Sequence, residues 1–131
     1  DFIKRKEGMI VGVSSLAESR GFPKSGFYNA SKAAATLLLE SLRVELKPHN
    51  IKVLIVKPGF VKTPMTDKNE FQMPFLMDVD KAARIILNGI KKEKSIIQFP
   101  MPIVIGSKIM KYMPDWLFDF FMSKELPARK N

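Results

Sequence analysis

The sequence predicts an α/β fold built on a parallel β-sheet. Two apolar runs, residues 9–13 and 52–56, lack the polar alternation of a half-exposed strand, which is typical of strands buried on both faces of a sheet. Between them, residues 27–47 carry apolar and small side chains at helical spacing. This strand–helix–strand order indicates a right-handed crossover unit, and we expect a functional site at the carboxyl ends of its strands.

The predicted helix has an apolar face and a charged face. Pro48 is expected to end it, because proline lacks the backbone N–H that a helix interior needs. The charged face holds Glu40, Arg43, Glu45 and Lys47. The face expected to pack on the sheet holds Ala30, Ala33, Ala34, Leu37, Leu38, Ser41 and Leu42.

The second half of the chain carries weaker signals of regular structure. Residues 65–77 show few of them, whereas Asp78 is a typical N-cap and precedes an apolar periodicity that extends to Ile90. Residues 95–99 predict a last short strand. In the apolar segment 100–124 we expect three prolines to break the helix into short pieces, namely Pro100, Pro102 and Pro114. No repeat or linker divides residues 1–131, so one domain part is predicted.

Composition excludes several classes of protein. The chain has 131 residues and 46% hydrophobic content, which is enough for a core. It has no cysteine, which excludes disulfides and thiolate metal sites and fits a reducing, cytoplasmic location. With His49 as the one histidine, neither a metal site nor a Ser-His-Asp hydrolase is expected. The chain opens on charged residues without the apolar core of a secretory signal.

The net charge of +9 raises the question of nucleic-acid binding. The lysines are scattered rather than gathered on one stripe, and no recognised nucleic-acid motif accompanies them. We therefore expect no specific nucleic-acid partner. A basic surface would also attract an anionic dinucleotide or an acidic membrane.

Three side chains predict carbonyl or alcohol redox chemistry. Tyr28 and Lys32 are four residues apart in the predicted helix and so lie on one face, about one turn apart. A nearby ammonium favours a phenolate, which suits Tyr28 to general acid-base catalysis on an alcohol oxygen. Ser15 follows the first apolar run and could donate a hydrogen bond to the same oxygen as charge develops on it.

The motifs around these residues resemble the C-terminal half of the short-chain dehydrogenase/reductase family. The resemblance is detailed over residues 9–64 and rests on the order and spacing of five segments. These are GMIVGVSSLA at 8–17, GFP at 21–23, YNASK at 28–32, KPG at 57–59 and FVKTP at 60–64. The implied fold is a Rossmann-like doubly wound parallel sheet, present here as its C-terminal portion only. At one position the chain departs from the family pattern, because Glu18 follows Ala17 where a glycine is more usual.

The resemblance implies an oxidoreductase that uses NAD or NADP. In that case Tyr28 is the acid-base residue, Ser15 orients the substrate oxygen, and Lys32 holds the nicotinamide ribose while tuning Tyr28. The segment 58–64 would cover the nicotinamide. The implied cofactor-binding residues are Tyr28, Lys32, Pro58, Gly59, Val61 and Thr63. The basic charge gives only a slight lean toward NADP.

Two family features are absent from the sequence. It has no glycine-rich turn of the kind that binds a dinucleotide pyrophosphate, and no Asn-Ala-Gly segment with a further catalytic asparagine. We therefore expect the C-terminal part of a longer polypeptide. The alternative is a truncated relative that acts as a non-catalytic interaction or assembly module. Under either hypothesis the resemblance implies a homo-oligomer, because the helix near Tyr28 commonly packs against its copy.

Two apolar segments indicate what the protein could bind. Residues 66–77 correspond to the substrate-covering loop of the family, and the Met and Phe side chains over 71–77 favour a lid over an apolar carbonyl or alcohol substrate. For residues 100–124 we favour ordinary packing, although the lysines beside Trp116 leave peripheral membrane contact as an alternative. Its prolines leave no run long enough to span a bilayer.

Overall fold

The structure is a computed structural model that describes residues 1–126, so the last five residues of the predicted domain, 127–131, lie outside the described residues. Its strands are β1 (Gly8–Val13), β2 (Ile51–Pro58) and β3 (Ile96–Phe99). Its α-helices are α1 (Phe2–Arg5), α2 (Gly26–Glu45), α3 (Val79–Lys91), α4 (Met101–Tyr112) and α5 (Asp115–Ser123). Short 3₁₀ turns span Leu16–Ser19, Lys47–His49 and Thr66–Lys68.

The three strands form one parallel sheet in the order β1-β2-β3. In the register, Gly8 lies beside Ile51 and Val13 beside Val56, while Ile55 lies beside Ile96. The predicted parallel crossover is therefore confirmed, with α2 connecting β1 to β2. Because all three strands run the same way, their carboxyl ends share one edge of the sheet.

The core surrounds the central strand β2. Residues 53–56 are buried, and the main cluster comprises Leu54, Val56, Met77, Ala82, Ile97 and Phe99. Asp78 caps α3 as predicted, since its carboxylate accepts from the Asp80 amide at 3.1 Å. Glycine at position 12 lets α2 approach the sheet, because a Cβ there would lie 2.2 Å from Leu39 Cδ1.

Most of the predicted inward face of α2 is wrong, because only Ala33 and Leu42 are half-buried. Leu37 and Leu38 remain 66% and 62% exposed, whereas Asn29 and Thr36 are buried against the sheet side. The exposed positions also include Ala30, Ala34 and Ser41. Apolar periodicity missed this orientation because the buried positions carry polar side chains whose hydrogen bonds are satisfied by the neighbouring turn. The helix also ends at Glu45, before Pro48, which lies in the following 3₁₀ turn.

One of the three expected proline breaks is wrong. Pro102 lies in the first turn of α4, where its missing N–H has no intrahelical partner to lose. Pro100 and Pro114 precede α4 and α5 and do mark their starts. Val104 and Phe118 are buried and anchor the two helices. No helix within residues 1–126 combines the length and apolarity that crossing a bilayer requires.

Candidate active site

Ser15 lies just beyond the carboxyl end of β1. The amide of Ser14 still bonds to the Val56 carbonyl at 2.8 Å, which continues the sheet pairing by one residue. Ser15 then caps the turn Leu16–Ser19, and its Oγ accepts from the Ala17 amide at 3.1 Å. Since the oxygen acts only as an acceptor in this bond, its proton can be donated to another oxygen.

Tyr28 and Lys32 lie on the first two turns of α2. The Lys32 Nζ is 5.7 Å from the centroid of the Tyr28 ring and donates to the Val13 carbonyl at 3.4 Å. Val13 is the last residue of β1, so Lys32 reaches the strand end that Ser15 follows. Tyr28 is 42% exposed and therefore accessible to a small molecule. The structure thus places the three predicted catalytic residues on elements that meet at this edge of the sheet.

Asn29 holds the first turn of α2 against the turn Leu16–Ser19 that Ser15 caps (the serine turn), and its role could not be recognised from the sequence. Its Nδ2 donates to the Ala17 carbonyl at 2.9 Å, and its Oδ1 accepts from the Phe22 amide at 2.9 Å. The side chain is buried, and both ends of its amide are satisfied. The only signal in the sequence is a short polar residue between Tyr28 and Ala30, near the start of an amphipathic helix.

The turn at Glu18 forms despite the departure from the family pattern. Glu18 Oε1 lies 2.5 Å from Lys57 Nζ, and the two side chains are only 14% and 12% exposed. Ser14 Oγ lies 2.9 Å from Glu18 Oε2. Lys57 is the next-to-last residue of β2, so this ion pair joins the ends of two neighbouring strands.

The segment after β2 is shaped by a close approach of the backbone. The Gly59 amide donates to the Phe99 carbonyl at 2.7 Å. A Cβ at position 59 would lie 3.0 Å from Pro100 Cδ and 3.3 Å from the Phe99 carbonyl oxygen, so a side chain there would crowd β3. Pro58 and Gly59, two of the predicted cofactor-binding residues, therefore turn the chain at the carboxyl edge of the sheet.

Val61 and Thr63 are held by the next 3₁₀ turn. Val61 forms a parallel bridge with Met77, and its carbonyl lies 2.8 Å from Thr66 Oγ1. The same Thr66 oxygen accepts from the Thr63 amide at 2.8 Å. Thr66 thus fixes the backbone at both predicted cofactor contacts, and its side chain is buried.

The predicted substrate loop, residues 66–77, is buried at both ends, Thr66 and Met77, and mostly exposed between them. Phe71 packs edge-on against Phe60, with ring centroids 5.9 Å apart. Phe75 is exposed and has a positive φ of 55°, whereas Met77 belongs to the core. The exposed aromatic rings, rather than Met77, are available to a substrate.

The C-terminal helices are fastened to the serine turn by Arg20. Its guanidinium donates to the carbonyls of Met110 and Met113, at 3.0 and 2.5 Å, and to Asp115 Oδ1 at 2.5 Å. It also stacks over Phe118, whose ring centroid is 4.4 Å away. The end of α4 and the start of α5 are therefore held beside the turn that Ser15 caps.

Comparison with known proteins finds a family match over the part of the chain that carries the candidate site residues. Residues 1–73, more than half of the chain, match the short chain dehydrogenase family. An uncharacterized oxidoreductase of Myxococcus xanthus is 40% identical over 117 residues, which cover 89% of this chain and 46% of that protein. A cyclopentanol dehydrogenase of Comamonas testosteroni is 38% identical over 84 residues, which cover 64% of this chain and 31% of that protein.

Solved structures resemble nearly the whole chain. A short chain dehydrogenase of Burkholderia cenocepacia in complex with NADP has a TM-score of 0.75 at 25% identity, and the match covers 92% of this chain and 49% of that one. A short-chain dehydrogenase of Sphingobium yanoikuyae in complex with NADPH has a TM-score of 0.71 at 22% identity, covering 99% and 50%. The predicted Rossmann-like fold is confirmed. The chain spans half or less of the length of all four of these proteins.

Proposed function

Because the chain belongs to the short-chain dehydrogenase family, we propose that it forms the catalytic part of an NAD(P)-dependent oxidoreductase acting on a carbonyl or secondary alcohol. The observation that carries the proposal is the position of Lys32, whose ammonium lies between the Tyr28 ring and the carboxyl end of β1. The cation therefore lies beside the exposed Tyr28 ring and at the strand end that Ser15 follows. All three groups can then act on one substrate oxygen.

The proposed chemistry divides the roles among these side chains. When bound, the nicotinamide supplies the hydride for reduction of a carbonyl carbon. Tyr28 gives its phenolic proton to the carbonyl oxygen, and the Lys32 ammonium stabilises the phenolate that remains. Ser15 donates its hydroxyl proton in a hydrogen bond to that oxygen as negative charge develops. Oxidation of an alcohol reverses each of these steps.

The residues present fit a nicotinamide nucleotide. The Lys32 ammonium has three N–H groups, of which one is directed at the Val13 carbonyl, so the others can reach ribose hydroxyls. Gly59 keeps the backbone after β2 free of a side chain, and Thr63 offers a hydroxyl beside it. We propose that Pro58, Gly59, Val61 and Thr63 cover the nicotinamide. The net charge of +9 favours an anionic cofactor, with a slight lean to NADP.

Replacing Tyr28 with phenylalanine tests the proposed function. In the complete polypeptide as its source makes it, we expect Tyr28→Phe to lower kcat at least about a hundredfold, because the proton donor is lost. The assay follows NADPH or NADH consumption with a set of apolar ketones. Tyr112→Phe is the matched control, since Tyr112 is exposed at the end of α4 and should leave the rate unchanged. Equal rates for wild type and Tyr28→Phe would overturn the proposal.

We propose an apolar ketone or secondary alcohol as the substrate. The exposed rings of Phe71 and Phe75 on the substrate loop support this choice, together with Phe60 beneath Phe71. Aromatic side chains bury large apolar areas and add no charge to a pocket. One relative is named a cyclopentanol dehydrogenase, and a solved neighbour is described as a bulky-bulky ketone specific alcohol dehydrogenase.

We also propose that the protein is a homo-oligomer that assembles through α2. Apolar residues on the outward side of α2 are exposed, namely Phe27, Leu37, Leu38 and Val44. Such a row on one helix is suited to an isologous contact with its copy. Light scattering of the complete polypeptide measures this directly, and a monomer would contradict it.

A non-catalytic assembly module is the second candidate function. Within residues 1–126, β1 is an edge strand whose residues Val11 and Val13 are exposed, and such an edge can pair with another chain. A module of this kind would not bind the cofactor, so titration with NADPH separates the two candidates. Membrane contact by α4 and α5 stays a prediction. Its electrostatic support is weak, because residues 101–126 contain three lysines and three acidic residues.

A further inference from the structure

Glu18 is the centre of a largely buried polar network behind the predicted catalytic side chains. Its Oε1 pairs with Lys57 Nζ at 2.5 Å, and its Oε2 lies 2.9 Å from Ser14 Oγ. The Thr36 hydroxyl also contacts Oε2 and lies 2.9 Å from Ser14 Oγ. Ser14 and Thr36 are buried, so this carboxylate relies on its protein partners more than on water.

The carboxylate orders the hydroxyls around it. Ser14 and Thr36 each have one hydroxyl proton, but Ser14 Oγ is also 3.0 Å from the Lys32 carbonyl. An ionised acceptor forms the stronger hydrogen bond and therefore favours hydroxyl protons directed at Glu18. A neutral residue at position 18 would remove this preference and leave the Lys57 ammonium without a counter-charge.

The network joins the three segments that carry the proposed active site. Ser14 immediately precedes Ser15, and Lys57 immediately precedes Pro58 in the segment proposed to cover the nicotinamide. Thr36 lies on α2, one turn beyond Lys32. Each of the three segments is therefore held by a residue that lies next to its proposed active-site residue in sequence, or one helical turn from it.

We propose that Glu18 and Lys57 are positioning residues, which fix the serine turn and the turn after β2 relative to α2. The inference rests on the proposed oxidoreductase function, because the pair acts through Ser15 and the cofactor-covering segment. Position 18 holds a glutamate where the family resemblance predicts glycine. Its partner Lys57 is a charged residue that directly follows the apolar residues 53–56 of β2. The two charges compensate each other in a site that could hold neither alone.

A kinetic comparison of matched variants tests the positioning role. In the complete polypeptide, Glu18→Gln and Lys57→Met should each lower kcat about tenfold or more, because small displacements of reacting groups reduce the rate steeply. The KM for the ketone should change less, since Ser15 acts chiefly on the charge that develops in the transition state. Glu93→Gln and Lys52→Met are the controls and should leave kcat unchanged. They alter a pair with the same 2.5 Å separation at the other end of β2, where both side chains are exposed.

The double variant separates positioning from folding. Removing both charges should return the thermal midpoint toward the wild-type value, whereas kcat should stay low. If a single variant fails to fold, the double variant carries the test. Unchanged kcat in folded Glu18→Gln, or kcat that recovers together with the midpoint in the double variant, would overturn the positioning role alone. A wild-type protein that turns over no ketone with either nicotinamide would overturn the proposed function, and the positioning role with it.

Discussion

The two ends of β2 each carry a lysine–glutamate pair, and the pairs differ in almost everything except their chemistry. Lys57 meets Glu18 at the carboxyl end, and Lys52 meets Glu93 at the amino end, both with Nζ to Oε1 separations of 2.5 Å. The side chains of the first pair are 12% and 14% exposed, whereas those of the second are 45% and 51% exposed. The same contact therefore exists once beside the candidate site and once near solvent.

The difference in exposure determines how much each ion pair contributes to stability. At the exposed end, water solvates either ion when its partner is absent, so the pair adds little to stability. At the carboxyl end, Glu18 is also near the hydroxyls of Ser14 and Thr36, and loss of one ion leaves the other without adequate solvation. An identical distance thus has different energetic consequences because the surroundings differ.

Breaking the buried pair should give the largest loss of stability. We expect Lys57→Met to lower the free energy of unfolding by about 3 kcal/mol, because it removes the cationic partner of the largely buried Glu18 side chain. Lys52→Met should cost less than about 0.5 kcal/mol. Urea unfolding of the complete polypeptide measures both values. Similar losses for the two variants would show that burial does not distinguish the two ends of β2.

Arg20 provides an intermediate case, because one of its partners is exposed and the others are not. Asp115 is 94% exposed, yet the guanidinium also donates to the Met110 and Met113 carbonyls and stacks over Phe118. We expect Arg20→Ala to lower the free energy of unfolding by about 2 kcal/mol, chiefly through the carbonyl bonds. Asp115→Asn should cost only a few tenths of a kcal/mol, roughly the value of an exposed pair.

Hydrogen exchange locates the Arg20 effect. Amides in α4 and α5 should lose protection in Arg20→Ala, whereas those of β2 should keep it. Equal effects of Arg20→Ala and Asp115→Asn would mean that the exposed ion pair, rather than the carbonyls, holds the C-terminal helices.

The parallel sheet could be predicted from sequence because its signals are local. Both apolar runs formed strands, and residues 53–56 of β2 are buried as expected. The expected burial of β1 on both faces is wrong, because within residues 1–126 it is an edge strand that leaves Val11 and Val13 exposed. Asp78 indicated the start of α3 because aspartate is a preferred N-cap residue. The orientation of α2 could not be predicted in this way, because Asn29 and Thr36 are buried through hydrogen bonds to residues 12 and 22 positions earlier in the chain.

The same distinction between local signals and long-range contacts applies to the candidate site. Ser15, Tyr28 and Lys32 could be identified from spacing and motif, and their positions on elements meeting at the carboxyl end of β1 follow from the crossover. The Glu18–Lys57 pair could not, because its partners are 39 residues apart and no periodicity relates them. In the sequence Glu18 was only a departure from a family pattern, and its role depends on what the fold brings near it.

The smallest expected effect concerns the exposed pair and has the opposite sign. Glu93 follows α3 with a φ of 52°. Its own amide donates to the Ile90 carbonyl and the Lys94 amide donates to the Gly89 carbonyl, as in a helix C-terminus that favours glycine. Glu93→Gly removes the ion pair with Lys52 but relieves the left-handed backbone of a residue with a side chain. We expect a net gain of about 0.5 kcal/mol in the free energy of unfolding, because the backbone strain that is relieved exceeds the stabilisation from an exposed ion pair.

Comparison with Glu93→Ala isolates the contribution of the backbone, since alanine also lacks the carboxylate but keeps a Cβ. If Glu93→Gly were instead less stable than Glu93→Ala, the backbone at position 93 would carry no strain, and the exposed pair would contribute more than its surroundings predict.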